Sequence, residues 1–139
     1  MQARVSWIEG RAFMLESGSG HAIVADAPVE AGGRALAPSP MELVLMGAGA
    51  CTAIDVVSIL AKMRQQVTGC TVDLEADRAA EPPRVFTRLV LRFRVAGRAL
   101  DRAAVERAVA LSAEKYCSAT IMLGRTAEIV REIELLEVL

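Results

Sequence analysis

The sequence predicts a mixed chain of strands and helices in a single domain, and three observations carry that expectation. Apolar and polar residues alternate through 70–78 and again through 84–96, the period of strands with one buried face. A nearly uninterrupted apolar segment from Leu43 to Leu60 opens with helix-start chemistry. The 139 residues suit one domain of about 100–150 residues, so residues 1–139 are read as one unit.

Taken in order, residues 3–26 read as a meander of short strands. Arg4, Ser6 and Ile8 alternate with Val5, Trp7 and Glu9, and Gly10 marks a turn. Phe13 to Glu16 forms a second run, Ser17-Gly18-Ser19-Gly20 another turn, and His21 to Asp26 a third run. Residues 27–40 carry Pro28, Gly32, Gly33, Pro38 and Pro40, which is loop chemistry. Ser39 then serves as N-cap, Pro40 fits the first helical position, and Glu42 lies in the first turn. A helix apolar on every side is buried on every side. In so short a chain that requires a central helix wrapped by sheet, by a partner subunit, or by both. Gly47 and Gly49 within it suggest close approach by another backbone.

Gly69 is taken as the end of the helical region. The runs 70–78 and 84–96, joined by a turn at Pro82-Pro83, read as two antiparallel strands. The second places Arg84, Arg88, Arg92 and Arg94 on the face opposite Leu89, Leu91, Phe93 and Val95. Asp101 caps a helix running to about Tyr116, and Cys117 to Leu123 forms a second helical segment stopped at Gly124. Residues 127–138 fit a helix or a strand.

Composition excludes several functions. Hydrophobic residues make up 53% of the chain, which argues against disorder. Net charge is −1 and aromatics are 4%, so neither a basic field nor a stacking platform for nucleic acid is expected, nor attraction to an anionic membrane. The apolar run from Leu43 to Ile54 is shorter than the ~20 residues of a membrane span. The N-terminus lacks signal-peptide patterning and the three cysteines form no even framework, so the expectation is a cytoplasmic protein.

The chemical inventory is Cys51, Cys70, Cys117 and His21. Cys70 alternates inward with Val72 and Leu74 and reads as a core residue. Cys51 reads as a small core residue from its position alone, and Cys117 fits a core or a reactive role equally well. His21 fits a solvent-facing strand position. A zinc site from these four residues lacks any paired-cysteine spacing, so no metal is expected. Asp55 shares the helix face of Cys51, where its charge would raise a thiol pKa. A two-cysteine redox cycle is compatible with this inventory without being singled out by it.

The segment from Ser39 through Pro40, Glu42, Gly47 and Gly49 to Cys51 and Asp55 resembles the OsmC/Ohr family, with the cysteine eleven residues after the proline. Leu111 to Ser118, which contains Lys115-Tyr116-Cys117, is similar to the family's second-cysteine motif. Both segments are nearest in wording to its YhfA-like branch. The resemblance implies an α+β fold in which two subunits intertwine, with antiparallel sheets around long buried central helices and a C-terminal strand. It implies an organic hydroperoxide reductase active against oxidative stress. Cys51 would be peroxidatic and Cys117 resolving, the two would form a disulfide, and a dithiol, lipoyl in some members, would recycle the enzyme. It implies neither metal nor organic cofactor. The peroxidases of the family carry Glu directly after the proline, paired with an Arg. Here Met41 holds that position, which leaves Glu42 and Arg11 as supporting candidates. The other function the resemblance admits is a non-peroxidase member that binds a small apolar ligand at the dimer interface.

Overall fold

The computed structural model describes all 139 residues and divides into two compact units, residues 1–44 and residues 45–139. The first contains an antiparallel meander of β1 (Ala3–Glu9), β2 (Ala12–Ser17) and β3 (Ala22–Ala25). A positive φ of 55° at Gly10 turns β1 into β2, and Gly20 at 92° completes the serine–glycine turn before β3. Every residue of β1 is exposed, including Val5, Trp7 and Ile8.

Asp26, only 2% exposed, organises the loop that follows. Its carboxylate accepts the backbone N–H groups of Ala27 at 2.8 Å, Leu36 at 3.2 Å and Arg34 at 3.3 Å. Gly33 is required beside it, because a Cβ there would lie 1.9 Å from the carbonyl oxygen of Ala27. The hydrogen bond from Leu36 does most to hold the Asp26 carboxyl below its usual range, and burial opposes it.

Helix α1 spans Pro40–Lys62. Its start is a capping box: Ser39 Oγ accepts the Glu42 N–H at 3.3 Å, and Glu42 Oε1 accepts the Ser39 N–H at 3.1 Å. The helix ends earlier than Gly69. Arg64 adopts a left-handed φ of 57°, and the N–H of Gln65 reaches back to the Leu60 carbonyl at 3.0 Å. The β-branched Val67 and Thr68 then belong to β4 (Gln66–Arg78), which pairs antiparallel with β5 (Phe86–Arg98). Gly69 sits at a register shift within β4.

Within the second unit, α1 buries one stripe of Ala48, Gly49, Thr52, Val56 and Leu60, spaced along a single helix face. Gly49 is the point of closest approach, since a Cβ there would lie 2.6 Å from Leu74 Cδ1 on β4. Gly47, expected to serve the same purpose, faces open space. Within one chain the sheet covers only this stripe, and Met46, Ile54 and Val57 remain exposed. By length and apolarity α1 would suffice to span a membrane. Its packed stripe and the hydrogen-bonded Asp55 midway along it instead mark a helix of a folded core.

The sheet of the second unit has strand order β4-β5-β6, with β5 contributing Leu89, Leu91, Phe93 and Val95 to the core. The outer face pairs Arg92 with Glu75 and Glu132, Arg94 with Asp73, and Arg88 with Glu128. After β5, α2 (Arg102–Leu111) begins at Asp101, whose carboxylate accepts the Ala103 N–H at 3.0 Å. Its last turn widens into a π-turn over Ser112–Tyr116, and α3 (Ser118–Leu123) follows. The C-terminal segment is a strand, β6 (Glu128–Glu137), which joins β5 in parallel. The second sheet is therefore mixed, not wholly antiparallel. The excursion through α2 and α3 supplies the long crossover that a parallel pairing needs.

Asp26→Asn should lower the urea midpoint at pH 7, because the amide turns donors toward backbone donors. A folded-state pKa held below the unfolded value of about 3.9 means the carboxylate's contribution is complete above that pH. The gap between wild type and variant should then close as pH falls through the lower folded pKa, in parallel urea titrations.

Candidate active site

The second unit assembles three groups whose reactive atoms all lie within 4.8 Å of one another: the sulfurs of Cys51 and Cys117 and a carboxylate oxygen of Asp55. Cys51 and Asp55 are four residues apart on α1, so both project from one face. Their stripe runs alongside the one that packs inward. Cys117 follows the π-turn, whose extra residue is seen in the bond from the Cys117 N–H to the Ser112 carbonyl at 2.8 Å.

Polar side chains order the cluster. Ser112 Oγ lies 2.9 Å from Asp55 Oδ2 and 2.9 Å from Thr52 Oγ1. An ionised carboxylate only accepts, so the Ser112 hydroxyl donates to Asp55 and Thr52 donates to Ser112. Thr52 and Ser112 are 1% and 0% exposed, so each buried hydroxyl has its partner. Cys117 is fully buried, and its sulfur accepts the Thr120 N–H at 3.4 Å.

Burial is the largest influence on the Cys117 thiol and pushes its pKa up. The Thr120 hydrogen bonds pull in the opposite direction, and Cys51 adds to the rise. Arg131 on β6 lies close enough to Cys117 for a thiolate there to favour its charge. Desolvation lowers the Arg131 pKa, the thiol beside it raises it, and its buried Nε has no hydrogen-bond partner. All three cysteines are free thiols.

Of the candidates read from sequence, Cys51 and Cys117 come together, while Cys70 stays on β4 opposite Val95 and burial raises its pKa. The zinc set considered above is not assembled. The trio of Cys51, Asp55 and Cys117 is one donor short of a structural tetrahedral site. His21 is exposed after the turn of the first unit. Glu42 is engaged in the capping box, and hydrogen bonds from the Ser39 N–H and hydroxyl hold its carboxyl low. Arg11 is exposed and forms no ion pair.

Ser112, Thr52 and Arg131 were not singled out in sequence. For Arg131 a signal was present. It occupies the inward phase of β6 with Ile129 and Ile133, in register with the buried Leu91. A lone charge in an apolar phase is the pattern to look for.

These features define a two-thiol domain of α+β architecture, and the OsmC-like protein family matches residues 32–131, so the chain belongs to that family. Among relatives, Protein YhfA of Escherichia coli strain K12 is 55% identical over 134 residues, covering 96% of this chain and 97% of that one. A solved structure 51% identical superposes with a TM-score of 0.90, covering 99% of this chain and all of its own. An organic hydroperoxide resistance protein OsmC from Legionella pneumophila, 19% identical, shares the fold with a TM-score of 0.73 over 96% of this chain and 97% of its own.

Cys70→Ala should leave the reactivity of the remaining thiols unchanged. In the wild-type protein, competitive alkylation with mass-spectrometric readout at pH 7 and pH 9 should show Cys70 labelled slowly at the lower pH and faster at the higher, since burial holds it protonated.

Proposed function

We propose that this protein is a thiol-based peroxidase that reduces organic hydroperoxides through Cys51 and Cys117. The observation that carries the reading is the approach of the two sulfurs to within 4.8 Å in the reduced state. A small rotamer or backbone adjustment brings such a pair to disulfide distance. Family membership supports a redox or peroxide-related role, and the Legionella relative bears hydroperoxide resistance in its name.

In this scheme the Cys51 thiolate attacks the terminal peroxide oxygen. The O–O bond breaks, an alcohol leaves with one proton, and Cys51 becomes a sulfenic acid. Cys117 attacks the Cys51 sulfur, the S–O bond breaks, water leaves and a 51–117 disulfide remains. An external dithiol, lipoyl or otherwise, reduces it and is itself oxidised. The buried, protonated Cys117 suits the resolving role, because it does not compete for peroxide. Glu42 and Arg11 are not needed in this scheme, and Met41 marks where the family's Glu is missing. The reaction uses no metal or organic cofactor, and the free thiols suit a reducing, cytoplasmic setting.

The working form is a homodimer in this proposal. Met46, Ile54 and Val57 on α1, and Val5, Trp7 and Ile8 on β1, present apolar surface that a second copy would cover. Light scattering at micromolar concentration should return twice the 14.8 kDa chain mass. A monomer would refute the dimer.

A second reading rests on a different observation. The first unit holds a cavity of about 420 Å³ lined by Val5, Phe13, Leu15 and Pro40, with Arg11 and Asp26 at its polar side. Its size and lining suit a small apolar ligand, the role of a non-peroxidase member.

Consumption of cumene hydroperoxide and of hydrogen peroxide, with dihydrolipoate or dithiothreitol as reductant, decides between them. Faster turnover of the organic substrate, lost in Cys51→Ser, is expected. Peptide mapping after one equivalent of oxidant should find the 51–117 disulfide in wild type and a trapped Cys51 sulfenic acid in Cys117→Ser. Absence of both would defeat the peroxidase reading in favour of ligand binding.

A further inference from the structure

We propose that Asp55 is the proton acceptor of the resolving step: its carboxylate takes the proton of the Cys117 thiol as that sulfur attacks Cys51, and passes it to the departing hydroxide. The inference rests on the peroxidase reading for its biological setting but concerns a group that reading leaves idle.

The geometry is specific. A carboxylate oxygen lies within 4.8 Å of both sulfurs, so one group can reach the thiol that loses a proton and the sulfur whose oxygen must gain one. The carboxylate is held in place by the Ser112 hydroxyl, itself held by Thr52, and neither buried hydroxyl would be spared for another partner.

The chemistry calls for such a group. Burial keeps Cys117 as a thiol, and a thiol is a poor nucleophile until its proton leaves. A fixed negative charge nearby disfavours a free Cys117 thiolate, so Asp55 does not act by lowering that pKa. It acts by receiving the proton during attack. The Cys117 electron pair forms the S–S bond and the Cys51 S–O bond breaks. The carboxylic acid formed is far more acidic than water and returns its proton to hydroxide, leaving water and an ionised Asp55. The other titratable or charged groups facing the pair are Cys51 on α1 and Arg131 on β6, whose own charge a Cys117 thiolate would favour.

The test compares Cys70→Ala with Cys70→Ala/Asp55→Asn, both checked for equal thermal unfolding, since asparagine keeps an oxygen to accept from Ser112. Cumene hydroperoxide is added, and quenched samples are assayed for Cys51 sulfenic acid with a dimedone probe and for disulfide by mass. The sulfenic acid should form at the same rate in both. Its conversion to disulfide should slow about a hundredfold in the variant. The variant's conversion rate should also climb about tenfold per pH unit as Cys117 ionises, against a shallower profile in the parent. Asp55→Glu should recover part of the rate.

A second arm needs no peroxide. Cys51 is converted to a mixed disulfide with Ellman's reagent, and release of the second nitrothiobenzoate reports Cys117 attack directly. The same slowing and the same steepened pH profile are expected. If no sulfenic acid forms with any hydroperoxide, the peroxidase reading falls and this arm still judges Asp55. Equal rates and equal pH profiles for parent and variant in the resolving measurement would overturn the proposal. A variant that unfolds earlier is judged by Asp55→Glu, whose pH profile should match the parent's.

Discussion

A long helix laid against a sheet through a single stripe of small and medium residues has little rotational freedom. Ala48, Gly49, Thr52, Val56 and Leu60 form that stripe on α1, and at Gly49 the side chain of Leu74 on β4 occupies the place a Cβ would take. Once the stripe is fixed, the directions of all other α1 side chains follow from the helical period of about 100° per residue. Cys51 and Asp55 lie one step around from Thr52 and Val56 and are thereby aimed together. The placement of Cys51 and Asp55 follows from this packing.

The polar chain from Thr52 through Ser112 to Asp55 then converts a packing register into a chemical one. Each buried hydroxyl has one donor proton, and satisfying the carboxylate fixes the direction of both. The π-turn is what brings Ser112 and Cys117 to the same side. A regular α-helical continuation would rotate Cys117 away from the residue whose carbonyl it now reaches. Local irregularity in the crossover and strict regularity in α1 are two halves of one arrangement.

Much of this was legible in sequence because it is local. The capping residues Ser39 and Asp101, the glycine-rich turns and the alternation in β4 and β5 depend on neighbours a few positions away, and they appear where their chemistry places them. The motif resemblance reached Cys51 and Cys117. Missed features depend on distant partners. The end of α1 at Lys62 follows from strand pairing that claims Val67, and a helical pattern without that partner continues to Gly69. The side of β5 on which β6 docks cannot be read from either strand alone. Asp55 was legible as a neighbour of Cys51, but its hydrogen bond comes from a residue 57 positions away. Apolarity on every side of α1 reports all the surface the helix can cover, of which its own chain covers one stripe.

The parallel pairing of β6 with β5 carries a consequence for biosynthesis. β4 and β5 can zip together as soon as both leave the ribosome, whereas β5's other edge stays open until residues 128–137 have emerged. During that interval the apolar phase of Leu89, Leu91 and Phe93 borders a row of unpaired backbone groups, the kind of edge that recruits strands from other chains. Arg88 on that strand places a positive charge where two nascent copies would meet edge to edge, and Glu128 of β6 neutralises it only on arrival, whereas Arg92 and Arg94 are already paired with Glu75 and Asp73 of β4. The same Arg88 charge that decorates the finished surface thus guards the unfinished one.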